Sequence, residues 1–291
     1  MAMESPPTRR VVEVVELLAA RVDTVSRLSD VVRELGLNQA TAYAILSELT
    51  ACGWVTRDPV DKSYALGSAV AGLGEAARRV RPLNEALRAA AVQLSHSLRY
   101  AVSVSERVDQ TLVITAVVGK QDPTWSVTVG DRLPFAAPFG PAYAAWDPEP
   151  QREQWIERSG VKTPTLVRHL RDYLAEIRDR GYSVERMSEA AARVIGVMSE
   201  MHADQLSDSM RGHVSAMLTE VTTSAASKRS TGPASLVGAI GAPVFRPGGP
   251  VVASLCVHPF EDLGIRAIQR IGRSLTGVIA TVTSENVDSL T

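Results

Sequence analysis

The chain has 291 residues, 45% hydrophobic and 22% charged, with 31 Lys+Arg against 32 Asp+Glu and a formal net charge of −1. That length buries a core without disulfide or metal support, and the charge balance excludes a polybasic nucleic-acid coat and an acidic disordered chain while leaving room for a local DNA-binding surface. Aromatic residues at 5% argue against a carbohydrate- or single-strand-stacking surface, and two distant cysteines, Cys52 and Cys256, exclude a disulfide scaffold or a cysteine zinc site.

The opening MAMESPPTRR carries no apolar signal core, and no run approaches the ~20 apolar residues of a membrane span, so a cytoplasmic protein without membrane contact is expected. Residues 1–8 read as a flexible tail. Val11, Val14, Val15 and Leu18 fall at helical spacing and predict a helix over Arg9–Ala20. Thr24 is placed to cap a second helix with Val25, Leu28, Val31, Val32 and Leu35 on one face, ended by Gly36. Asn38 caps a third helix through Cys52 that buries Ala42, Ile45, Leu46 and Leu49. Trp54–Arg57 and Ser63–Leu66 then read as a β-hairpin around the turn Asp58–Lys62. Helices joined by a tight turn and followed by a hairpin have the layout of a winged helix-turn-helix, over residues 9–67.

A helical linker over 68–82 leads to a C-terminal domain spanning 83–291. Its first helix covers Leu83–Leu98, with Pro82 at the start. Strands are predicted near 101–105 and 112–118, with a further candidate at Ser126–Val129. A Pro/Gly-rich stretch holds a short helix near Ala142. Helices at Glu149–Arg158 and Thr165–Arg180 precede a strand at Tyr182–Glu185. Residues 188–233, with several methionines, read as a helical insertion and a loop. Strands at 236–244 and 251–257 and a last helix capped by Asp262, with Ile265, Ile268, Ile271, Leu275 and Ile279 on one face, complete an α+β chain.

In the third helix the face opposite the buried residues holds Ala40, Tyr43, Ala44 and Ser47, with Asn38, Gln39 and Thr41 at its start. In a helix-turn-helix this face enters the major groove. Gln39 can pair with adenine, and Tyr43 can reach a phosphate or a thymine methyl. Arg57 and Lys62 flank the wing turn and face the backbone or minor groove. Residues 1–75 hold seven Lys/Arg and ten Asp/Glu. This is poor for a DNA surface, although Arg78, Arg79 and Arg81 follow at once; either affinity is modest and depends on dimer avidity, or the charges are segregated by face.

No GxSxG, P-loop, HExxH or Rossmann glycine pattern points to an enzyme, and no cofactor is implied. His202, His213, Asp204 and Asp208 do not form a recognised metal arrangement. Cys256 and His258 share a strand face. The pair reads as a core thiol beside a polar pocket histidine, not as a catalytic couple.

Taken together, VVEVVELLAA, LSDVVRELGLNQATAYAILSELTACGWVTRD and YALG, then GDRLPFAAPFGPAYAAW, IRDRGYSVE and GAIGAPVFRPGGPVVASLCVH, resemble the IclR family of bacterial transcription regulators in order and spacing. The resemblance implies a GAF-like C-terminal effector-binding domain, a homodimer or tetramer on a pseudo-palindromic DNA operator, and control by a small molecule, with a repressor the commoner outcome. It implies an effector cover of Phe135, Ala136, Ala137, Pro138, Phe139, Gly140 and Ala142. Ala239 stands in place of a family cysteine, and Cys256 and His258 in place of two serines. The helix carries Ala44 where relatives have Arg, and Asn38-Gln39 where they have Pro-Lys or Pro-Arg. The family's acidic pocket residue has no clear counterpart beside the insertion. A larger, more apolar effector is expected: aromatic, alicyclic or sterol-derived. The other reading is a ligand-sensing dimer whose winged helix binds a protein partner.

Overall fold

The computed structural model describes residues 5–21, 24–80, 82–121, 127–187, 219, 236–246 and 248–285. The helical insertion expected at 188–233 lies outside the described residues except for Thr219, which is helical and buried. Contacts divide the chain into two units, Met1–Arg81 and Pro82–Thr291.

In the first unit, α1 spans Pro6–Ala20 and buries Val14, Leu17 and Leu18. It starts three residues before the expected Arg9, because proline is accommodated in the first helical turn, where its missing N–H costs nothing. The next helix, α2 (Leu28–Leu35), corrects the expected Thr24 cap. Ser26 instead bridges to Tyr64, whose N–H donates to the Ser26 carbonyl at 2.7 Å, and Arg27 is extended ahead of the helix. Asp30 accepts from the Arg27 N–H at 2.9 Å to close the helix start, and Val25 is 65% exposed instead of packed. Gly36, at φ 62°, ends α2 in the left-handed conformation. Helix α3 (Gln39–Ala51) is capped as expected by Asn38, whose Oδ1 accepts from the Thr41 N–H at 2.8 Å.

Strands β1 (Val55–Arg57) and β2 (Tyr64–Leu66) form the antiparallel wing, with Arg57 opposite Tyr64. Asp58 Oδ1 accepts from the N–H groups of Val60 and Asp61, which shapes the turn. The wing folds back so closely that a Cβ on Gly67 would lie 2.2 Å from the Gly53 carbonyl oxygen. Val14, Leu18, Val31, Ala42, Leu46, Val55 and Tyr64 share the core of this unit. Helix α4 (Ala69–Val80) follows.

The second unit is built on a six-stranded antiparallel sheet ordered β5-β4-β3-β8-β7-β6. The strands are β3 (Ala101–Val108), β4 (Thr111–Val118), β5 (Arg132–Pro134), β6 (Ser183–Met187), β7 (Leu236–Phe245) and β8 (Val251–His258). Alternation sends Val102, Val104, Ala116, Ile240, Ala242, Leu255 and Val257 to one face. There they pack with α5 (Pro82–Leu98) and the last helix, α9 (Ile265–Glu285). Helix α9 buries Ile268, Ile271, Leu275 and Ile279, but Ile265 is 73% exposed. The helix begins three residues after Asp262, so Asp262 is not its cap.

The other face is covered by α6 (Pro141–Ala144), α7 (Glu149–Arg158), α8 (Pro164–Arg180) and the loop before α6. The expected strand near 126–129 is replaced by a turn among the described residues. Thr128 gives its N–H and hydroxyl to the Asp131 carboxylate at 2.8 and 2.7 Å, and Gly130 takes φ 100°. The strand on the outer side of β4 is instead β5, inside the stretch expected to be irregular.

Candidate functional site

Capping by Asn38 and burial of Ala42, Leu46 and Leu49 fix the outward face of α3. Gln39, Ala40, Ala44 and Ser47 are exposed, Tyr43 is 53% exposed, and Thr41 is half-buried. Asn38 also lies on the surface, but its side-chain Oδ1 is engaged by the Thr41 N–H. The Arg57 guanidinium lies 5.6 Å from the Tyr64 ring centroid, within cation–π range. Lys62, at φ 62° in the wing turn, donates from Nζ to the Pro59 carbonyl.

Tyr43, Arg57 and Lys62 line one groove, together with Arg27, Leu28, Ser29, Asp61 and Tyr64. Sequence reasoning missed Arg27 and Ser29, which reach this groove only because α2 begins at Leu28. Three of the acidic residues of this unit are paired outside the groove. Arg9 meets Glu13 at 3.1 Å, Arg33 meets Asp30 at 2.9 Å, and Arg21 pairs with Glu34. Arg27, Arg57 and Lys62 lie beside Tyr43 in this groove, with Asp61 among them.

The second unit encloses a cavity between the sheet and the loop leading into α6. Of the residues named for an effector site, Phe139, Gly140, Ala142, Ala239, Cys256 and His258 line this cavity. Phe135, Ala136 and Ala137 do not: they are 3%, 4% and 0% exposed and belong to the packing beneath the cover. Phe135 meets the Tyr143 ring edge-on at 6.2 Å, and the Arg107 guanidinium sits 4.7 Å from its centroid. The cover is pinned by Trp155 Nε1 donating to the Phe139 carbonyl at 2.8 Å and by the Tyr143 hydroxyl donating to the Ser105 carbonyl at 2.6 Å. Gly140 adopts φ 72° and crosses β4 so tightly that a Cβ there would lie 2.9 Å from a Leu112 methyl.

The floor of the cavity is more polar than expected. Register places Ser105 opposite Ser254, Ser103 opposite Cys256, Cys256 opposite Gly241, and Ala239 opposite Glu185, so these residues share one face of the sheet. Ser103, Ser105, Ser254 and Glu185 all line the cavity. Glu185 thus gives the cavity an acidic side chain that the sequence reading did not assign to it. The signal lay in the Val/Ser alternation of residues 101–105 and in the spacing of Ser183 and Glu185. Such alternation ordinarily marks a solvent face. The cover makes this one a cavity wall. Leu112, Ile114, Val127, Leu133, Phe139 and Phe260 supply the apolar part.

Burial controls the ionisation of this wall. It lowers the His258 pKa to about 3, against a backbone hydrogen bond with Gly238 that acts the other way, so the imidazole is neutral. It pushes the Cys256 thiol up to about 12, with the Glu185 carboxylate adding to the rise. It raises Glu185 to about 7, opposed by the Ser183 hydroxyl. Neutral His258 and a protonated Cys256 offer hydrogen bonds but no activated nucleophile. Among the described residues no cluster of three or more His, Cys, Asp or Glu is arranged to hold a metal ion, and no helix is long and apolar enough to cross a membrane.

Residues 7–59 match the model of the IclR helix-turn-helix domain, and residues 76–204 match that of the bacterial transcriptional regulator IclR C-terminal domain, together more than half of the chain. No curated protein sequence matches it. Among solved structures, the chain is similar to an IclR transcriptional regulator from Alicyclobacillus acidocaldarius, at 20% identity and TM-score 0.67, with 97% of this chain and 99% of that one covered. It is similar to the Thermotoga maritima IclR at 15% identity and TM-score 0.62, over 96% and 98% of the two chains. An IclR homologue from Microbacterium hydrocarbonoxydans, solved as a complex with 4-hydroxybenzoate, matches at 19% identity and TM-score 0.58, over 96% and 99%. These likenesses show the fold, an N-terminal helix-turn-helix followed by a C-terminal domain with a curved antiparallel sheet. With both family models in order along it, the chain belongs to the IclR family, whose members are transcription regulators and not enzymes, and it carries that family's helix-turn-helix DNA-binding domain and C-terminal ligand-binding domain.

Proposed function

We propose that this regulator is a repressor that binds a pseudo-palindromic double-stranded operator as a homodimer or tetramer and is controlled by a small organic effector. The carrying observation is the outward face of α3 flanked by Arg27, Arg57 and Lys62. Gln39, Ala40, Tyr43, Ala44 and Ser47 are the groove-facing positions, Thr41 and Asn38 set the helix start, and the three cations hold phosphates. A two-fold dimer presents two such helices, which is the symmetry a palindrome matches. We assign residues 9–67 to DNA binding, 68–82 to the linker and 83–291 to the effector domain, with 188–233 as its insertion.

The effector occupies the cavity between β3, β8, β7 and the Phe139–Ala142 cover. Its apolar wall suits an aromatic or alicyclic body, and the 4-hydroxybenzoate bound by the Microbacterium homologue supports an aromatic effector. An effector changes operator affinity only by binding the DNA-competent and DNA-incompetent states unequally.

Fluorescence anisotropy with the intergenic duplex beside the protein's own gene, against a scrambled duplex, tests this reading. Specific binding should weaken with salt at a log–log slope near −0.9 per neutralised phosphate. An effector should then release the probe. Equal, weak binding to both duplexes would overturn operator recognition.

A further inference from the structure

A second cavity lies in the C-terminal unit, where the last turns of α8, strand β6 and the start of α9 meet. Its volume is about 310 Å³, at the small end of the range for small-molecule sites. It shares no lining residue with the cavity under the α6 loop. Arg180, near the end of α8, lines it, and its guanidinium is held from within the fold: Nε donates to the Tyr182 carbonyl at 2.6 Å, and Cζ lies 5.4 and 5.9 Å from the Tyr182 and Tyr173 ring centroids. Nη2 is enclosed and has no hydrogen-bond partner among the described residues. Nη1 meets Glu176 at 3.9 Å, but that carboxylate is 67% exposed, so the pair is loose and contributes little. The helix C-terminus already favours a cation. That accounts for a charge at Arg180, but not for an enclosed N–H group left without an acceptor. The remaining wall is largely apolar. Val184 and Ile268 are buried in it, and Ile265, at the start of α9, is 73% exposed on it. A single exposed isoleucine is ordinary. Beside an under-satisfied guanidinium it completes a site with a cationic end and an apolar end.

We propose that this cavity is a second ligand site of the regulator and takes a small organic monocarboxylate with an aliphatic or aromatic body. The carboxylate accepts from the Arg180 fork and displaces Glu176, while the body covers Ile265 and Ile268. A guanidinium and a carboxylate match in plane and spacing, so charge-assisted bonds form on both terminal nitrogens. Because the two cavities have separate walls, this site stands whether or not the other one takes an effector.

Isothermal titration of the full chain at pH 7.5 compares 4-phenylbutanoate with its neutral analogue 4-phenylbutanamide and with inorganic phosphate. The carboxylate should bind at least about tenfold more tightly than the amide, as expected for hydrogen bonds to a charged group. It should also bind more tightly than phosphate, which has no body to lay on Ile265. Arg180→Gln should abolish the preference over the amide. Ile265→Ser, at an exposed position, should weaken the carboxylate by about threefold or more through lost apolar contact. Ala239→Trp, which fills the other cavity, should leave the preference intact. Equal affinities for carboxylate and amide, or no binding by either, would overturn the proposal. So would a preference that survives Arg180→Gln, or one that disappears in Ala239→Trp, which would put the ligand in the other cavity. Phosphate binding as tightly as the carboxylate would overturn the monocarboxylate assignment. If Arg180→Gln fails to melt cooperatively, Ile265→Ser carries the test, and an unchanged carboxylate affinity there overturns the site.

Discussion

Ser103 Oγ lies 2.8 Å from His258 Nε2, although the register of β3 and β8 sets Ala101 opposite His258. The contact is diagonal and holds a buried neutral imidazole in the cavity wall. In the native protein His258 titrates at about 3, against an ordinary value of 6.5. Between those values the unfolded chain binds a proton that the native protein refuses. The stabilisation from neutral His258 is thus complete above pH 6.5 and is lost as pH falls toward 3, by at most about 1.4 kcal/mol per pH unit. Urea midpoints at pH 4.5, 5.5 and 7 should fall more steeply in wild type than in His258→Gln. Parallel curves would rule this linkage out.

Glu185 works in the opposite sense. Its native pKa of about 7 stands above the ordinary 4.5, so the unfolded chain ionises first and stability falls as pH rises between those values. Glu185→Gln should therefore stabilise the protein at pH 8, by about 1–3 kcal/mol, with the difference closing at pH 4.5. Denaturant midpoints across that range read it directly.

The wing and α2 cations should act as phosphate contacts. Arg57→Ala and Arg27→Ala should each weaken operator binding and reduce the magnitude of the salt slope by about 0.9, with oligomeric state unchanged in sedimentation. Ala44→Arg adds a cation on the exposed face of α3 and should steepen the slope by a similar amount. An unchanged slope in Arg57→Ala would remove the wing from the DNA interface.

Leu46 is fully buried at the centre of the first unit. Leu46→Ala should destabilise that unit by about 2–5 kcal/mol, and Asn38→Ala by about 1 kcal/mol through the lost cap. Hydrogen exchange resolved along the chain should show lost protection over residues 28–66 and little change in the sheet of the second unit.

Much of the molecule is written in local sequence. Asn38 caps α3 through its own side chain, Gly36 ends α2 because it tolerates positive φ, and helical spacing selects Ala42, Leu46 and Leu49 as the inward face. Cys256 and His258 share a face because side chains alternate along any strand. These features depend on residues a few positions apart, and they were legible without a structure.

Other features depend on partners far along the chain. Ser26 joins Tyr64 and shortens α2, which turns Arg27 toward the wing. Asp131 captures Thr128 in a turn and moves the strand to Arg132–Pro134. Phe135, Ala136 and Ala137 pack beneath the cover because Trp155 and Tyr143 pin the loop from outside its own sequence. Glu185 enters the cavity because β6 pairs with β7 in a register that sets it opposite Ala239. Local periodicity determined which side chains share a face. Strand order and register, which are long-range hydrogen-bonding choices, decided which of those faces meet and close into a cavity.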